Sequence, residues 1–280
     1  DIEEEQKEGH VKTTLFQNYL VKEENPIQVG ETTVTALDEA PCYDGETDGE
    51  GLYLRDPSGN SYYIPKGQHV TVTRRWQESR AQDTEGVTHA PFAKAWIDHG
   101  SRPQKDRYEY LILVQDGEKR PDALDCYEVL QADHDIHAVY DKESGITAYA
   151  FFEAAELKET PKTDAVVKRA ENPCMVMECR RGATRKVAVA DPDLRLYEGE
   201  EEDQKNPDGT QREVSLYGRK WRDSESIGKD VVLWLRGPWK LEKPDEFAAC
   251  EIVDGDTKLT VFCKDGVSRE VLLTSAFAEN

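Results

Sequence analysis

Turn residues recur along this chain at intervals too short for helices and well suited to strands. Asp56-Pro57-Ser58-Gly59-Asn60 separates residues 52–54 from residues 61–64, and Pro65-Lys66-Gly67 precedes an alternating run over 69–76. Asp254-Gly255 and Asp265-Gly266 are hairpin dipeptides. The runs between these breaks are β-branched and aromatic. In an extended chain Val70 and Val72 face one way, and Thr71 and Thr73 the other. No long window carries apolar residues at helical spacing between caps. The pattern predicts an antiparallel all-β protein rather than βαβ units.

Residues 92–114, FAKAWIDHGSRPQKDRYEYLILV, read as a strand, a polar turn at Asp98 to Pro103 and a second strand. The expectation is a packed hairpin with Phe92, Trp96, Tyr108 and Tyr110 building core. A second hairpin-like stretch covers 129–152. Composition then shifts at 157–172, which is polar, poor in aromatics and interrupted by Pro161. That reading divides the chain into a first β domain over 1–157, a linker over 158–172, and a smaller β-sandwich over 173–280.

With 36 Lys and Arg against 57 Asp and Glu, the 280-residue chain has a formal charge of −21. Such a field repels nucleic acid and other polyanions, so an anionic ligand needs a local basic patch. The sequence Arg74-Arg75-Trp76 with Arg80, and Lys66 upstream, is the candidate. Guanidinium forks match carboxylate and sulfate, and an indole stacks on a sugar face. The competing reading pairs these arginines with the chain's own carboxylates. The acidic run over 191–208 lacks the ordered spacing of a calcium loop. His134 and His137, three apart on a strand, diverge, leaving one exposed and one half-buried. His99 reads as a turn-stabilising hydrogen-bonding group. Six scattered cysteines form no CxxC and read mainly as buried thiols, with Cys250 and Cys263 the pair to test for a bridge. No nucleophile elbow, HExxH, P-loop or dinucleotide motif occurs, so no catalytic residue, metal ligand or cofactor is assigned. No apolar run is long enough to cross a membrane as a helix, and the acidic start, DIEEEQKEG, does not read as a signal peptide.

Several words resemble the C-terminal part of the family 8 polysaccharide lyases, among them the chondroitin ABC lyases. In order they are KTTLFQ at 12–17, DPSGNSYYIPKG at 56–67, VTVTRRWQESR at 70–80, the 92–114 and 129–152 stretches, NPCMVMECRRG at 172–182, ADPDL at 190–194 and LTVFCKDGVSREVLL at 259–273. The resemblance spans nearly the whole chain and loosens after Glu198. It implies the latter part of an antiparallel β-supersandwich followed by a terminal β-sandwich. It also implies a lyase that eliminates at a 4-linked uronic acid without an essential metal. The family's catalytic His, Tyr and Arg lie on a helical toroid with no counterpart in these words, so the resemblance transfers no catalytic residue. The implied partners are an acidic polysaccharide of the chondroitin sulfate kind and the toroid, in cis or as a separate chain, and the implied compartment is periplasmic or secreted. The alternative is a free-standing carbohydrate-binding β protein without catalysis.

Overall fold

The computed structural model describes residues 10–80, 86–114, 119–120, 122–158, 163–194, 207 and 226–277. Among them are twenty-one strands and one 3-10 turn, Ala123–Asp125. The all-β expectation holds. The chain forms two compact units, Asp1–Cys126 and Tyr127–Asn280.

In the first unit the strands are β1 (His10–Tyr19), β2 (Ile27–Val29), β3 (Thr32–Val34), β4 (Tyr43–Glu46), β5 (Leu52–Arg55), β6 (Ser61–Ile64), β7 (His69–Arg80), β8 (Val87–Ser101) and β9 (Leu111–Leu113). They make a four-stranded sheet, β1-β8-β7-β4, and a five-stranded sheet, β3-β2-β5-β6-β9. Phe16, Val70, Val72, Ala95 and Ile97 of the first share a core with Ile27, Val29, Leu54, Tyr62 and Ile64 of the second. A register shift between Thr14 and Phe16 lets Leu15 and Phe16 both turn inward. The predicted turn after β5 is built on Asp56. Its carboxylate accepts from the backbone N–H groups of Ser58 and Asn60 (2.8 and 2.9 Å) and from the Tyr62 hydroxyl (3.1 Å).

Residues 92–114 do not form the expected hairpin. Their first part lies in β8, which pairs with β1 on one edge and β7 on the other. With both edges occupied, β8 has no place for a returning strand. The chain crosses instead to β9, which pairs with β6 in the other sheet. Gly100, Arg102 and Lys105 take positive φ in this crossover (73°, 56° and 52°). Gln68 steadies it like a substitute strand: its amide donates to the Glu109 carbonyl (2.7 Å), and its oxygen accepts from the Glu109 N–H (2.8 Å).

The second unit holds β10 (Tyr127–Ala132), β11 (Ile136–Asp141), β12 (Ile146–Phe151), β13 (Ala155–Glu156), β14 (Val167–Ala170), β15 (Cys174–Arg181), β16 (Thr184–Ala190), β17 (Lys229–Leu235), β18 (Trp239–Leu241), β19 (Ala248–Val253), β20 (Asp256–Cys263) and β21 (Arg269–Ser275). The sheets are β10-β11-β12-β15-β16-β21-β18 and β13-β14-β17-β20-β19. Val176, Val187, Val271 and Leu273 of one meet Val167, Leu233, Leu259 and Val261 of the other. The expected linker over 158–172 therefore falls inside a compact unit. Phe151 of β12 pairs with Cys174 of β15 across it, and β14 lies within it with Val167 and Ala170 buried. Polar composition marked the stretch as a connection, but two inward residues are enough to seat a four-residue strand.

Asp254-Gly255 turns β19 into β20 with positive φ at both residues (53° and 87°). Asp265-Gly266 turns the chain as predicted but carries it from β20 to β21, in the opposite sheet. Cys250 lies across from Leu259 and Cys263 across from Lys229. The two are not bridged, and all six cysteines are free thiols. Burial pushes the Cys174 thiol up to about 12 and the Cys250 thiol up to about 11.

Candidate functional site

The basic word RRWQESR lies on β7, where alternation divides it between two faces. Arg74 continues the inward row of Val70 and Val72 and is 1% exposed. Its Nη2 donates to the backbone carbonyls of Glu23 and Asn25, the latter at 3.0 Å. Arg74 thus anchors the segment after β1 and is not at the surface, contrary to the sequence expectation. Trp76 shares the inward face at its outer end, where its indole stacks on His89 with ring centres 4.5 Å apart. Arg80 pairs through its backbone with Val87, and its side chain lies outside the described residues. Lys66 stands in the exposed turn before β7. Of the three candidates whose side chains are described, Arg75 alone is placed on the outer face.

That outer face gathers residues the sequence reading missed as a group. Across the β7–β8 ladder Arg75 lies opposite Phe92, Thr73 opposite Lys94 and Thr71 opposite Trp96. Across the β1–β8 ladder Tyr19 lies opposite Phe92, Gln17 opposite Lys94, Thr14 opposite Trp96 and Lys12 opposite Asp98. Paired residues share a face, so one surface carries Tyr19, Phe92 and Trp96 with Lys12, Lys94 and Arg75. The ammonium groups of Lys12 and Lys94 lie 4.5 and 5.5 Å from the Trp96 ring centre. The Trp96 Nε1 is buried and has no hydrogen-bond partner. Tyr19 and Phe92 meet edge to face with ring centres 5.8 Å apart. The signal was present in FAKAW, whose alternate letters are Phe, Lys and Trp.

The same sheet ends in three histidine–carboxylate pairs. His10 meets Asp98 (3.0 Å), His69 meets Asp44 (3.0 Å) and His99 meets Asp106 (2.7 Å). Hydrogen bonds from the His69 imidazole and the Thr71 hydroxyl hold Asp44 below the usual carboxylate range. Burial alone would raise Asp98, but the His10 ring, the Gly100 N–H and the charge of Lys12 outweigh it. A cavity of about 220 Å³ is lined here by Gln68, His69, Asp98, His99, Asp106 and Arg107. The His99 side chain is 2% exposed. Its Nδ1–H donates to Asp106 and its Nε2 accepts from the Thr13 hydroxyl (2.9 Å). With both nitrogens engaged, His99 locks the crossover to β1. The role read for it as a turn-stabilising group fits this placement.

His134 and His137 are both exposed, the first in a turn and the second on β11 against the edge of Phe152. The half-buried ring expected of one of them is not found, because Asp133–Asp135 is a bend outside the sheet. Of the acidic run, Asp191 is buried and accepts from the Asp193 N–H (3.1 Å). Its members Glu198, Glu200, Glu201, Glu202, Asp203 and Asp208 lie outside the described residues. No group of three metal-binding side chains occurs among the described residues. In the second unit a cavity of about 510 Å³ is lined by Phe247, Phe262, Lys264, Ser268 and Arg269. The Arg269 guanidinium already covers the Phe247 ring at 3.8 Å.

Residues 128–195 match the C-terminal beta-sandwich domain of polysaccharide lyase family 8. The chain is 35% identical over 244 residues to the chondroitin sulfate ABC exolyase of Proteus vulgaris, covering 87% of this chain and 23% of that protein. It is also 35% identical over 235 residues to the chondroitin sulfate ABC exolyase of Bacteroides thetaiotaomicron, covering 80% of this chain and 22% of that protein. The chain therefore spans less than a quarter of the length of these relatives. The solved structure of a Paenibacillus xanthan lyase superposes with a TM-score of 0.62 at 15% identity, over 98% of this chain and 24% of that one, which shows a shared fold.

Proposed function

The chain belongs to polysaccharide lyase family 8 through the C-terminal β-sandwich domain carried by residues 128–195, and from that premise we propose that it is the β-structured portion of a glycosaminoglycan lyase. The observation that carries the reading is the 35% identity to a chondroitin sulfate ABC exolyase over 87% of this chain. The enzyme so formed eliminates across the 4-linked uronic acid of chondroitin or dermatan sulfate. The helical toroid, in cis or as a second chain, supplies the base and the group that neutralises the uronate carboxylate. This chain supplies the scaffold and one wall of the substrate cleft, in the periplasm or outside the cell.

One feature supports a supporting rather than a catalytic role. The phenols of Tyr62 and Tyr149 are driven upward by burial beside Asp56 and Glu178, which is the wrong direction for a base. The test is the absorbance of unsaturated uronate on chondroitin sulfate. The chain alone gives no product, and the chain joined to the toroid portion gives turnover. Product from the chain alone, or none from the joined protein, contradicts the reading.

A further inference from the structure

We propose that the outer face of the β1-β8-β7 sheet is a non-catalytic binding surface for an acidic, sulfated oligosaccharide, centred on Trp96, Lys12, Lys94 and Arg75. The choice of sugar class rests on the lyase reading above, whereas the site rests on geometry. In a chain of formal charge −21, each exposed cation has carboxylates to draw on. Some are used: Lys168 pairs with Asp256 (3.3 Å), Lys186 with Glu270 (2.6 Å) and Lys158 with Asp133 (2.7 Å). On this face Lys94 and Arg75 have no described carboxylate within ion-pair distance, and Lys12 shares Asp98, its neighbour across the ladder, with His10. Two ammonium groups nevertheless converge on one indole. Their mutual repulsion favours an anion from outside that bridges them, and a sulfate ester or uronate carboxylate has the charge and acceptors to do so.

The aromatic side chains of the face add to its charge. The Trp96 Nε1 is buried without a partner, and buried indole N–H groups ordinarily find an acceptor. Tyr19, 54% exposed, and Phe92 provide a further aromatic contact. Four residues along β8 place Phe92 roughly 13 Å from Trp96, a span for an oligosaccharide rather than a single sugar. Arg75 lies beside Phe92, so charge and ring recur together at both ends.

The experiment titrates a chondroitin sulfate hexasaccharide into the full chain by calorimetry, at low and at moderate salt, with a neutral oligosaccharide as control. The chain binds the sulfated sugar, affinity falls with salt, and the neutral sugar does not bind. The triple variant Lys12→Gln, Lys94→Gln, Arg75→Gln keeps the wild-type melting temperature and loses at least tenfold in affinity, with a shallower salt dependence. Trp96→Phe, which keeps an aromatic ring but removes the indole N–H, weakens binding by a smaller factor. Unchanged affinity in the triple variant, or no binding by the wild-type chain, overturns the proposal. Because elimination is read separately, loss of the lyase reading with binding intact leaves this site standing, and the converse removes only the site.

Discussion

The four-stranded sheet of the first unit and the seven-stranded sheet of the second each bury an arginine, by opposite means. Arg185 donates through Nη1 to the Glu178 carboxylate (2.9 Å) and through Nη2 to the Asp164 carbonyl (2.6 Å). Glu178, itself buried, also accepts from the Tyr149 hydroxyl (2.7 Å) and from the N–H groups of Val166 and Val167 (each 3.0 Å). Charge is neutralised on the spot, and the network ties β12, β15 and β16 to the start of β14. Arg74 meets only carbonyl oxygens, and its Nε and Nη1 are buried without partners. The buried arginine of the second unit thus meets a carboxylate and that of the first unit carbonyl oxygens, while on the other face of the β1-β8-β7 sheet Lys94 and Arg75 have no described carboxylate within ion-pair distance. Inside, positive charge anchors a loop; outside, it is available to an anionic ligand.

The sharpest break of this contrast is Glu178→Ala. Removing Glu178 leaves buried Arg185 only the half-exposed Asp164 carboxylate (3.5 Å) and strands the Tyr149 hydroxyl and the Val166 and Val167 N–H groups, a loss of about 3 kcal/mol, read as an earlier denaturant midpoint with unchanged slope. A loss below that of an ordinary surface change would mean the network is incidental. Next comes the neighbouring pair on β7. Arg74→Ala orphans the carbonyls of Glu23 and Asn25 and costs about 2–3 kcal/mol. Arg75→Ala, on the outer face, stays within about 0.5 kcal/mol of wild type. Equal losses from the two would erase the distinction between the faces.

Acid tests a smaller effect. Burial alone would raise Asp133, but the Lys158 ammonium, the Ile136 and Asp135 N–H groups and the Gln131 amide outweigh it and hold it below its ordinary 3.8. A carboxylate depressed in the folded state contributes fully above its unfolded value and loses that contribution as pH falls. Melting temperature therefore falls on acidification below about 4, and Asp133→Asn is less stable at neutral pH and responds less to acid. A variant with the wild-type acid response would remove Asp133 from the account.

Much of the architecture was legible because strands and turns announce themselves locally. Asp56 to Asn60 and Asp254-Gly255 turned where their chemistry required. What the sequence concealed was partnership at a distance. Nothing local in Asp98 to Pro103 shows that both edges of the preceding strand are already taken, so a hairpin was expected where the chain changes sheets. The polar stretch over 158–172 hid β14 for the same reason. The binding residues were sought along the chain, as consecutive Arg74, Arg75 and Trp76, although a strand sends neighbours to opposite faces. The face that forms is assembled across three strands from Lys12, Arg75, Lys94 and Trp96, and register of that kind emerges only on pairing.

Backbone amide shifts on adding a chondroitin sulfate hexasaccharide test most directly where the charge of that outer face is used. The account predicts shifts clustered at Lys12, Thr14, Gln17, Thr73, Arg75, Lys94 and Trp96, with the second unit unmoved. Shifts centred instead on Phe247, Lys264 and Arg269, or none at all, would contradict it.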